Sequence, residues 1–311
     1  MSHGRDLRRY LVIGASGFVG RHLVARLGAE RSVATYRSHP FPGGVHFDSL
    51  TMRLADVVPD RSLVTHAFLL NSSTDIDGCA RDKVASYRAN VTSICPVIDQ
   101  LLEWDIMPVF ASSDAVFDGT KGLYTEEDRP NPILTYGRQK LAIERFLAPA
   151  GRGFLIVRLA KVVGDDRRAR SVLGEWMQSI ERGETLRLAR DQVFSPISVE
   201  DVVEALLRLA ERGATGTYHV CGPRPYTRLE LLQALFVEMS RYRSFDAKIL
   251  PCSIRDFDFS EPRPLDTSMR PDKLVAATGM ALRGMTDLCR EFARRTYSLE
   301  GRVAASGGRP H

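Results

Sequence analysis

Three residues in the middle of the chain have side chains and a spacing suited to proton transfer. Tyr136 and Lys140 are four residues apart, so they lie on one face if this segment is helical. An ammonium close to a phenol favours the phenolate and lowers the tyrosine pKa, which would let Tyr136 pass a proton at neutral pH. Ser113 could hydrogen-bond the same reacting oxygen. Together they predict protonation of a carbonyl oxygen while hydride reaches its carbon.

Two predicted elements must hold these residues. Residues 107–111 are a short apolar run, which predicts a buried strand that ends just before Ser113. Asn131 and Pro132 predict the start of a helix, with asparagine as N-cap and proline at the first helical position. A Tyr-x-x-x-Lys spacing also occurs on ordinary exposed helices. It therefore indicates chemistry only if a dinucleotide site precedes it.

A glycine-rich turn near the N-terminus meets that condition. Residues 10–13 predict a strand and residues 22–27 predict a helix, and the turn between them has the spacing G-x-x-G-x-x-G. Glycines let the backbone approach a pyrophosphate, and the helix N-terminus supplies N–H groups and a positive dipole end. The spacing is shifted from the usual G-x-G-x-x-G. The residues expected to contact the cofactor are Gly14, Ser16, Gly17, Phe18, Val19 and Gly20.

The end of the second predicted strand, residues 32–36, bears on the choice of cofactor. An NAD site usually carries Asp or Glu about 20 residues after the first glycine, where it binds the ribose. This chain has Arg37 there. A guanidinium fits a 2′-phosphate, so the sequence favours NADPH, with NADH still possible. The alternative is a surface arginine after a strand.

Polar residues follow the next two predicted strands. Residues 45–47 predict a third strand, and Asp48 after it would either meet an adenine amino group or cap a turn. Residues 62–70 predict a buried fourth strand, because they are mostly apolar. Doubly wound sheets bind ligands at this end of their strands. We expect cofactor contacts from Asn71 and Ser72, and a substrate contact from Ser73.

Strands and helices alternate along the chain, which predicts a parallel sheet. A long helix is expected over residues 83–104, with Asn90 on it, and a β-like segment over residues 193–197. The predicted fold is α/β, a Rossmann-like doubly wound parallel sheet with a smaller C-terminal α/β substrate lobe. We assign residues 1–160 to the NAD(P)-binding domain with the catalytic helix. Residues 161–296 form mainly the substrate lobe, with some segments returning to the sheet, and 297–311 form a loose tail.

Composition narrows the function classes. The chain has 311 residues, 44% of them hydrophobic, and no apolar run long enough to span a membrane. Five scattered cysteines without a C-x-x-C pair predict a reducing cytoplasm and no metal site. A net charge of +5 without a basic stripe disfavours nucleic acid and suits an anionic small substrate. A homodimer is left open.

The assembled motifs resemble the dTDP-4-dehydrorhamnose reductase family of the extended short-chain dehydrogenase/reductase superfamily. The resemblance covers about residues 10–295 and is most specific in residues 112–119, 124–128 and 136–142. It implies NAD(P)H and a nucleotide-linked 4-keto-6-deoxy sugar. It also implies roles for individual residues: Tyr136 as proton donor, Lys140 on the nicotinamide ribose, Ser113 on the carbonyl, and Asn90 positioning Lys140 through water.

Two departures from that family concern the substrate. Ala115 and Lys161 stand where the family commonly has Tyr and Trp, both beside the sugar. Their loss removes stacking area and introduces a charge, which puts the rhamnose-precursor substrate in doubt. Arg167 and its neighbouring arginines could reach a diphosphate or could form an exposed basic loop. The residues expected to bind substrate are Ser73, Asp114, Lys161, Arg167 and Arg263.

Three functions compete at this point. The leading one is an NADPH-dependent ketoreductase acting on a nucleotide-activated deoxysugar. A sugar-nucleotide epimerase or dehydratase of the same superfamily is an alternative. However, a dehydratase needs an acidic pair where Asp114 is followed by Ala115, and Arg37 argues against tightly held NAD⁺. A non-catalytic NADP-binding regulatory subunit is the other alternative, although intact Ser113, Tyr136 and Lys140 disfavour it.

Overall fold

A computed structural model of the chain describes residues 8–150, 153–164 and 171–306. The strands in these ranges are β1 Arg9–Ile13, β2 Ser32–Tyr36, β3 Val45–His46, β4 Val64–Leu69, β5 Met107–Ser113, β6 Leu155–Leu159, β7 Val162–Val163, β8 Leu186–Ala189, β9 Val193–Phe194, β10 Ile197–Ser198, β11 Gly216–Val220, β12 Tyr226–Thr227 and β13 Ile249–Cys252. The helices are α1 Phe18–Leu27, α2 Ile76–Arg81, α3 Lys83–Tyr87, α4 Cys95–Glu103, α5 Thr135–Leu147, α6 Val172–Glu181, α7 Val199–Glu211, α8 Arg228–Met239, α9 Asp272–Thr278 and α10 Met285–Ser306. None of the helices in the described ranges is long and apolar enough to cross a membrane.

Seven parallel strands form the main sheet, in the order β11-β6-β5-β4-β1-β2-β3. The strand order reverses between β1 and β4, so the loops after these two strands diverge and leave a crevice between them. The predicted Rossmann-like doubly wound fold is confirmed. The sheet therefore gathers the ends of β1, β2, β4 and β5 along one edge.

Apolar strands explain why this sheet is buried on both faces. Tyr10 and Val12 of β1 point into one core with α1 and α7, whereas Leu11 and Ile13 point into the other with α4 and α5. This alternation follows from the two-residue period of a strand. Burial of both faces leaves only the strand ends free to form a site.

The C-terminal part of the chain forms a hydrophobic core separate from the two cores of the sheet. Helices α6, α8 and α10 pack around the parallel pair β8–β13, with Trp176, Met177, Leu235 and Phe292 among the buried side chains. Strand β11 instead leaves this lobe and pairs with β6 at the edge of the main sheet. The polypeptide thus passes from the lobe back to the main sheet at β11.

Helix α5 begins later than the sequence predicted. Asn131 does not cap it, because its backbone N–H donates to the carbonyl of Val116 and its side-chain amide donates to Asp118. Leu134 is still extended, with φ −93° and ψ 144°, and α5 begins at Thr135. The asparagine and the proline after it belong to the loop before the helix, so the predicted N-cap is wrong.

The predicted helix over residues 83–104 is also interrupted. It consists of α3, a π-helical turn at Arg88–Thr92 and α4. The turn buries Asn90, whose side chain hydrogen-bonds to neighbouring segments instead of facing solvent. Pro96 then lies in the first turn of α4, where its missing N–H costs nothing.

Two further boundaries differ from the prediction. The β-like segment 193–197 is split into β9 and β10, which pair with different partners. A loose tail was expected from residue 297, but α10 continues to Ser306. The helix thus extends beyond the residues that pack in the core of the lobe. Residues 307–311 lie outside the described part.

Candidate active site

The turn after β1 forms a backbone cradle at the start of α1. Gly14 has φ +94°, and a Cβ there would meet the backbone of Asn71 at 2.9 Å. A Cβ on Gly20 would overlap the carbonyl of Gly14, so glycine is needed for α1 to pack against the turn. The N-cap residue of α1 is Gly17, which has no side chain to cap the helix. The backbone amides in the first turn of α1 are therefore available to an anion, such as the pyrophosphate of a dinucleotide.

A cleft of about 280 Å³ extends from this turn across the end of β2. Arg37 lines it and is exposed, so its guanidinium can reach a ligand. The other predicted cofactor residues that line this cleft are Gly14, Ser16, Gly17, Asn71 and Ser72. This arrangement suits the adenosine half of a dinucleotide.

Asp48 is placed differently from the other predicted cofactor residues. Its neighbours Phe47 and Ser49 line the cleft, but Asp48 does not. Its Oδ1 accepts a hydrogen bond from the N–H of Leu50, at 3.0 Å. Asp48 thus takes the alternative role considered for it, that of capping the turn after the strand.

A second cleft, of about 330 Å³, continues from the first. The two share Gly17, Leu70 and Ser72, so they form one groove along the ends of the strands. The second cleft is lined by the predicted residues Phe18, Val19, Gly20, Ser113, Tyr136 and Lys140. The sequence positions 14–20, 113 and 136–140 are therefore brought to one place by the fold.

Ser113 is held close to Tyr136 by tight packing of the turn after β5 against α5. A Cβ on Gly137 would overlap the carbonyl of Ala115, so the glycine in the middle of the helix permits this approach. The Oγ of Ser113 donates to Asp114 Oδ1 at 2.9 Å and accepts from the N–H of Ala115 at 3.1 Å. The Ser113 hydroxyl also hydrogen-bonds Tyr136, which favours the phenolate.

Lys140 is almost completely buried, with two short hydrogen bonds. Its Nζ donates to Ser72 Oγ and to the carbonyl of Ala111, both at 2.6 Å. It lies 5.6 Å from the ring centroid of Tyr136. Burial lowers the pKa of Lys140 to about 7, although the charge of Glu144 opposes this effect. The ammonium is therefore fixed in place but only weakly favoured at neutral pH.

The pKa of Tyr136 moves in the opposite direction from our expectation. Burial raises it first, and the negative charge of Asp114 raises it further. The predicted lowering by Lys140 is wrong for this arrangement. The reason is that burial of the phenol and the charge of Asp114 decide its pKa, whereas the Nζ of Lys140 is hydrogen-bonded to Ser72 and Ala111. Tyr136 is thus kept protonated, as a proton donor must be.

Asn90 connects two parts of the site. Its Oδ1 accepts from the N–H of Ser73 at 2.8 Å, and its Nδ2 donates to the carbonyl of the same residue at 3.1 Å. Nδ2 also donates to Oε1 of Gln139, at 2.8 Å, and Gln139 precedes Lys140 on α5. No direct hydrogen bond joins Asn90 to Lys140 within the described ranges. Asn90 thus connects the segment after β4 with α5 through Gln139.

A buried ion pair lies beneath the site, and the sequence analysis did not identify it. Arg158 of β6 donates from Nη2 to Oε2 of Glu144 on α5 at 2.8 Å, and both side chains are about 6% exposed. Ser112 also donates to Glu144, and His219 lies 3.3 Å from Arg158. An arginine within an apolar strand is the sequence signal that would have found it. The pair holds α5 against the sheet and so orients Tyr136.

Charged side chains lie near Asp114, the neighbour of Ser113. Asp114 accepts from Thr267 Oγ1 at 3.0 Å, and burial raises its pKa. Lys161 follows β6 and is solvent-accessible, yet the surrounding protein and the charge of Arg228 lower its pKa. Arg228 donates from Nε to Gln192 at 2.7 Å. Within the described ranges, neither Lys161 nor Arg228 forms an ion pair with a carboxylate.

The remaining predicted substrate residues are distributed unevenly. Ser73 borders the adenosine cleft. The Arg263 side chain is 8% exposed and is engaged with Asp77, its Nη2 lying 2.6 Å from Oδ2. The prediction for Arg167 lies outside the described residues. Of the substrate candidates, Asp114 accepts a hydrogen bond from Ser113, and the charge of Lys161 acts on Asp114.

The comparison with protein families decides the affiliation of this chain. The model described as the RmlD substrate binding domain matches residues 8–297. The chain belongs to this family. A relative in sequence is the probable low-salt glycan biosynthesis reductase Agl14 of Haloferax volcanii. It is 30% identical over 226 residues, which cover 70% of this chain and 75% of that protein.

The fold of this RmlD-family chain matches solved structures over most of its length. A dTDP-4-dehydrorhamnose reductase from Bacillus anthracis, solved in complex with NADP, superposes with a TM-score of 0.79 at 21% identity, covering 93% of this chain and 99% of that one. The methionine adenosyltransferase 2 subunit beta of Bos taurus is 30% identical over 41% of this chain and 40% of its own length. The expected family and the expected NAD(P)H-dependent oxidoreductase are both confirmed.

Proposed function

We propose that this chain reduces a keto group on a nucleotide-activated deoxysugar, with NADPH as the reductant. The observation that carries the proposal is the common groove, in which the glycine cradle and the side chains of Ser113, Tyr136 and Lys140 line one continuous space. The family supports the class of reaction, since its named members include sugar-nucleotide reductases.

The side chains of the chain account for the movement of the proton. Tyr136, protonated at neutral pH, donates its phenolic proton to the carbonyl oxygen, and the Ser113 hydroxyl turns from Asp114 to donate a hydrogen bond to the same oxygen. A bound nicotinamide would supply the hydride that reaches the carbonyl carbon. Lys140, held by Ser72 and Ala111, stands next to Tyr136 to restore its proton. The product is a secondary alcohol.

The choice of NADPH rests on Arg37. The residues present fit a dinucleotide, because a side chain at Gly14 or Gly20 would fill the cradle at the N-terminus of α1. Arg37 adds an exposed guanidinium at the end of β2, where a carboxylate would bind a ribose 2′-hydroxyl. A positive charge at this position favours a 2′-phosphate.

The class of substrate rests on the cations of the lobe. The surrounding protein lowers the pKa of both Lys161 and Arg228, and the charge of Glu175 offsets this only in part. An anionic ligand would relieve that cost. A nucleotide-sugar brings a diphosphate, which suits two basic side chains.

The test is consumption of NADPH by the purified chain with a panel of nucleotide-linked keto sugars. We expect loss of NADPH absorbance and formation of the corresponding alcohol. Interconversion of epimers without net NADPH consumption would assign the epimerase alternative instead. Absence of turnover, together with co-purification on a larger enzyme, would favour the regulatory subunit.

A further inference from the structure

Ser72 lies where the two clefts of the groove meet, next to the buried end of Lys140. It lines both clefts and is half-buried, so its side chain is accessible from the groove. Its Oγ accepts the hydrogen bond of 2.6 Å from Nζ of Lys140. Within the described ranges, the Ser72 hydroxyl donates its own hydrogen to no protein group, so this hydrogen is available to water in the groove. Ser72 therefore connects a buried ammonium with solvent.

The other hydrogen-bond partner of Lys140 cannot pass on a proton. The Nζ also donates to the carbonyl of Ala111, at 2.6 Å. A carbonyl oxygen accepts a hydrogen bond but has no proton to give, whereas a hydroxyl both donates and accepts. Lys140 is only 4% exposed, which restricts direct contact of its Nζ with bulk water. Of the two partners, Ser72 is thus the one that can link the ammonium to solvent.

The side chain of Asn90 is committed elsewhere. Both hydrogens of its Nδ2 are donated, one to the carbonyl of Ser73 at 3.1 Å and one to Oε1 of Gln139 at 2.8 Å. Its Oδ1 accepts from the N–H of Ser73 at 2.8 Å. An amide nitrogen carries two hydrogens, so Asn90 has none left for a water molecule beside Lys140. Its contribution is to hold the backbone next to Ser72.

The backbone is fixed on both sides of Ser72. On one side, Asn71 packs against the turn after β1, where a Cβ on Gly14 would meet the backbone nitrogen of Asn71 at 2.9 Å. On the other side, Asn90 binds both the N–H and the carbonyl of Ser73. The Ser72 side chain therefore projects from a rigid segment of the fold.

We propose that Ser72 is a positioning residue for Lys140 and returns a proton from solvent to it after each reduction. The inference rests on the proposed function, in which Tyr136 gives its proton to the carbonyl oxygen and Lys140 then restores it. The bond between Nζ and one hydrogen breaks in that step, and a bond between this hydrogen and the phenolate oxygen forms. Lys140 is left as a neutral amine.

The return of the proton then follows the hydrogen bond between the two side chains. The lone pair of the Lys140 amine takes the hydroxyl proton of Ser72, while the Ser72 Oγ takes a proton from water in the groove. The hydroxide left behind is neutralised by the buffer. One proton from solvent thus accompanies the hydride in each turnover. A Lys140 pKa of about 7 suits this exchange, because the amine can lose and regain its proton at neutral pH.

The test compares two substitutions of nearly equal shape at one position. Ser72→Thr keeps the hydroxyl, whereas Ser72→Val has a methyl group in its place. With a keto sugar that the parent reduces, we expect Ser72→Val to lower kcat by about tenfold or more, because a proton transfer of the catalytic cycle loses its path. Ser72→Thr should recover most of this loss. NADPH titrations of both variants show whether any change in cofactor affinity is shared, as equal shape requires.

Isotope effects separate the return of the proton from a merely structural role. In Ser72→Val, the decrease of kcat in D₂O should be larger than in Ser72→Thr, because proton return has become the slow step. For the same reason, NADPH deuterated at the transferred hydride should slow Ser72→Val less than Ser72→Thr. A role in packing alone would leave both isotope effects equal in the two variants.

A measurement that needs no turnover is the exchange of the Lys140 Nζ hydrogens with water. It is followed by NMR on the full chain with ¹⁵N-labelled lysine, at a pH below the Lys140 pKa of about 7, and the signal is assigned by its loss in Lys140→Met. Exchange should be several-fold slower in Ser72→Val than in Ser72→Thr, because the methyl group interrupts the path to solvent.

Equal kcat and equal isotope effects in the two variants would overturn the proposal, and so would equal exchange of the Nζ hydrogens. If the parent reduces a keto sugar and the two variants do not differ, the proton path through Ser72 fails and the proposed function stands. If exchange depends on the hydroxyl at this position but the parent reduces no keto sugar, the proton path stands and the proposed function fails.

Discussion

Glu261, in the loop before α9, caps the helix that carries Tyr136. Its carboxylate accepts the N–H of Thr135 at 2.7 Å and the Thr135 hydroxyl at 2.6 Å. The N-cap residue of α5, Leu134, has no side chain that could do this. A negative charge at a helix N-terminus is stabilising, so the lobe and the catalytic helix support each other.

This cap should matter for both stability and turnover. Glu261→Ala removes both acceptors, and we expect the free energy of unfolding to fall by about 1 kcal/mol, a typical effect of a lost cap. Turnover should fall as well, because Thr135 directly precedes Tyr136. Glu261→Gln keeps one acceptor and should give an intermediate result. Urea unfolding and initial rates measure the two effects. The control is Glu127→Ala, which removes an exposed glutamate. If Glu261→Ala has the same stability and turnover as this control, Glu261 does not act as a cap.

Arg37 should set the cofactor preference. The parent should bind NADPH more tightly than NADH, and Arg37→Asp should reverse the order, because a carboxylate repels a 2′-phosphate and accepts a ribose hydroxyl. Paired titrations of both cofactors measure this. Arg129→Asp makes the same charge change at an exposed loop position and should keep the parental order. Equal affinities of the parent for the two cofactors would refute the prediction.

Tyr136→Phe keeps the ring and removes the acid. Turnover should fall by about 10²-fold or more, the scale of a lost general acid, while NADPH affinity stays within the parental range. Initial rates and a cofactor titration measure the two quantities separately. Tyr87→Phe, at an exposed position on α3, should leave both unchanged. Unchanged turnover in the Tyr136 variant would mean that the proton comes from another group.

The buried Lys140 should make stability depend on pH. Its pKa is lowered to about 7, below the ordinary value of 10.5. Between these values the unfolded chain binds more protons than the folded one, so Lys140 makes stability rise as pH increases above 7. We expect the free energy of unfolding of the parent to rise more steeply than that of Lys140→Met between about pH 7 and 9. If the free energy of unfolding, measured with urea, depends on pH equally in the parent and in Lys140→Met, Lys140 is charged in the folded protein over this whole range.

Lys161 and Arg167 should act on substrate binding. Lys161→Ala combined with Arg167→Ala should raise KM for a nucleotide-linked sugar well before it lowers NADPH affinity, since these residues are expected to bind the distant part of the substrate. Kinetics on a panel of nucleotide-sugars measure this. Arg129→Ala with Lys83→Ala removes two exposed charges elsewhere and is the control. An unchanged KM for every active substrate would show that the two residues do not contribute to substrate binding.

Much of the site could be predicted from local sequence. The glycine turn, Ser113, Tyr136 and Lys140 are recognisable because each chemical role demands a residue type next to a strand or at a helical spacing. The parallel sheet followed from the alternation of apolar runs with helical segments. These are short-range patterns, and they place the residues of the groove correctly.

The tertiary structure decided what depends on distant neighbours. The pKa of Tyr136 is raised instead of lowered, because burial and Asp114 outweigh the effect expected from a spacing of four residues. Helix α5 begins at Thr135 because Asn131 is used by the preceding loop and Glu261, 126 residues away along the chain, provides the cap. No local pattern carries such information, since burial and pairing arise only when remote segments pack together.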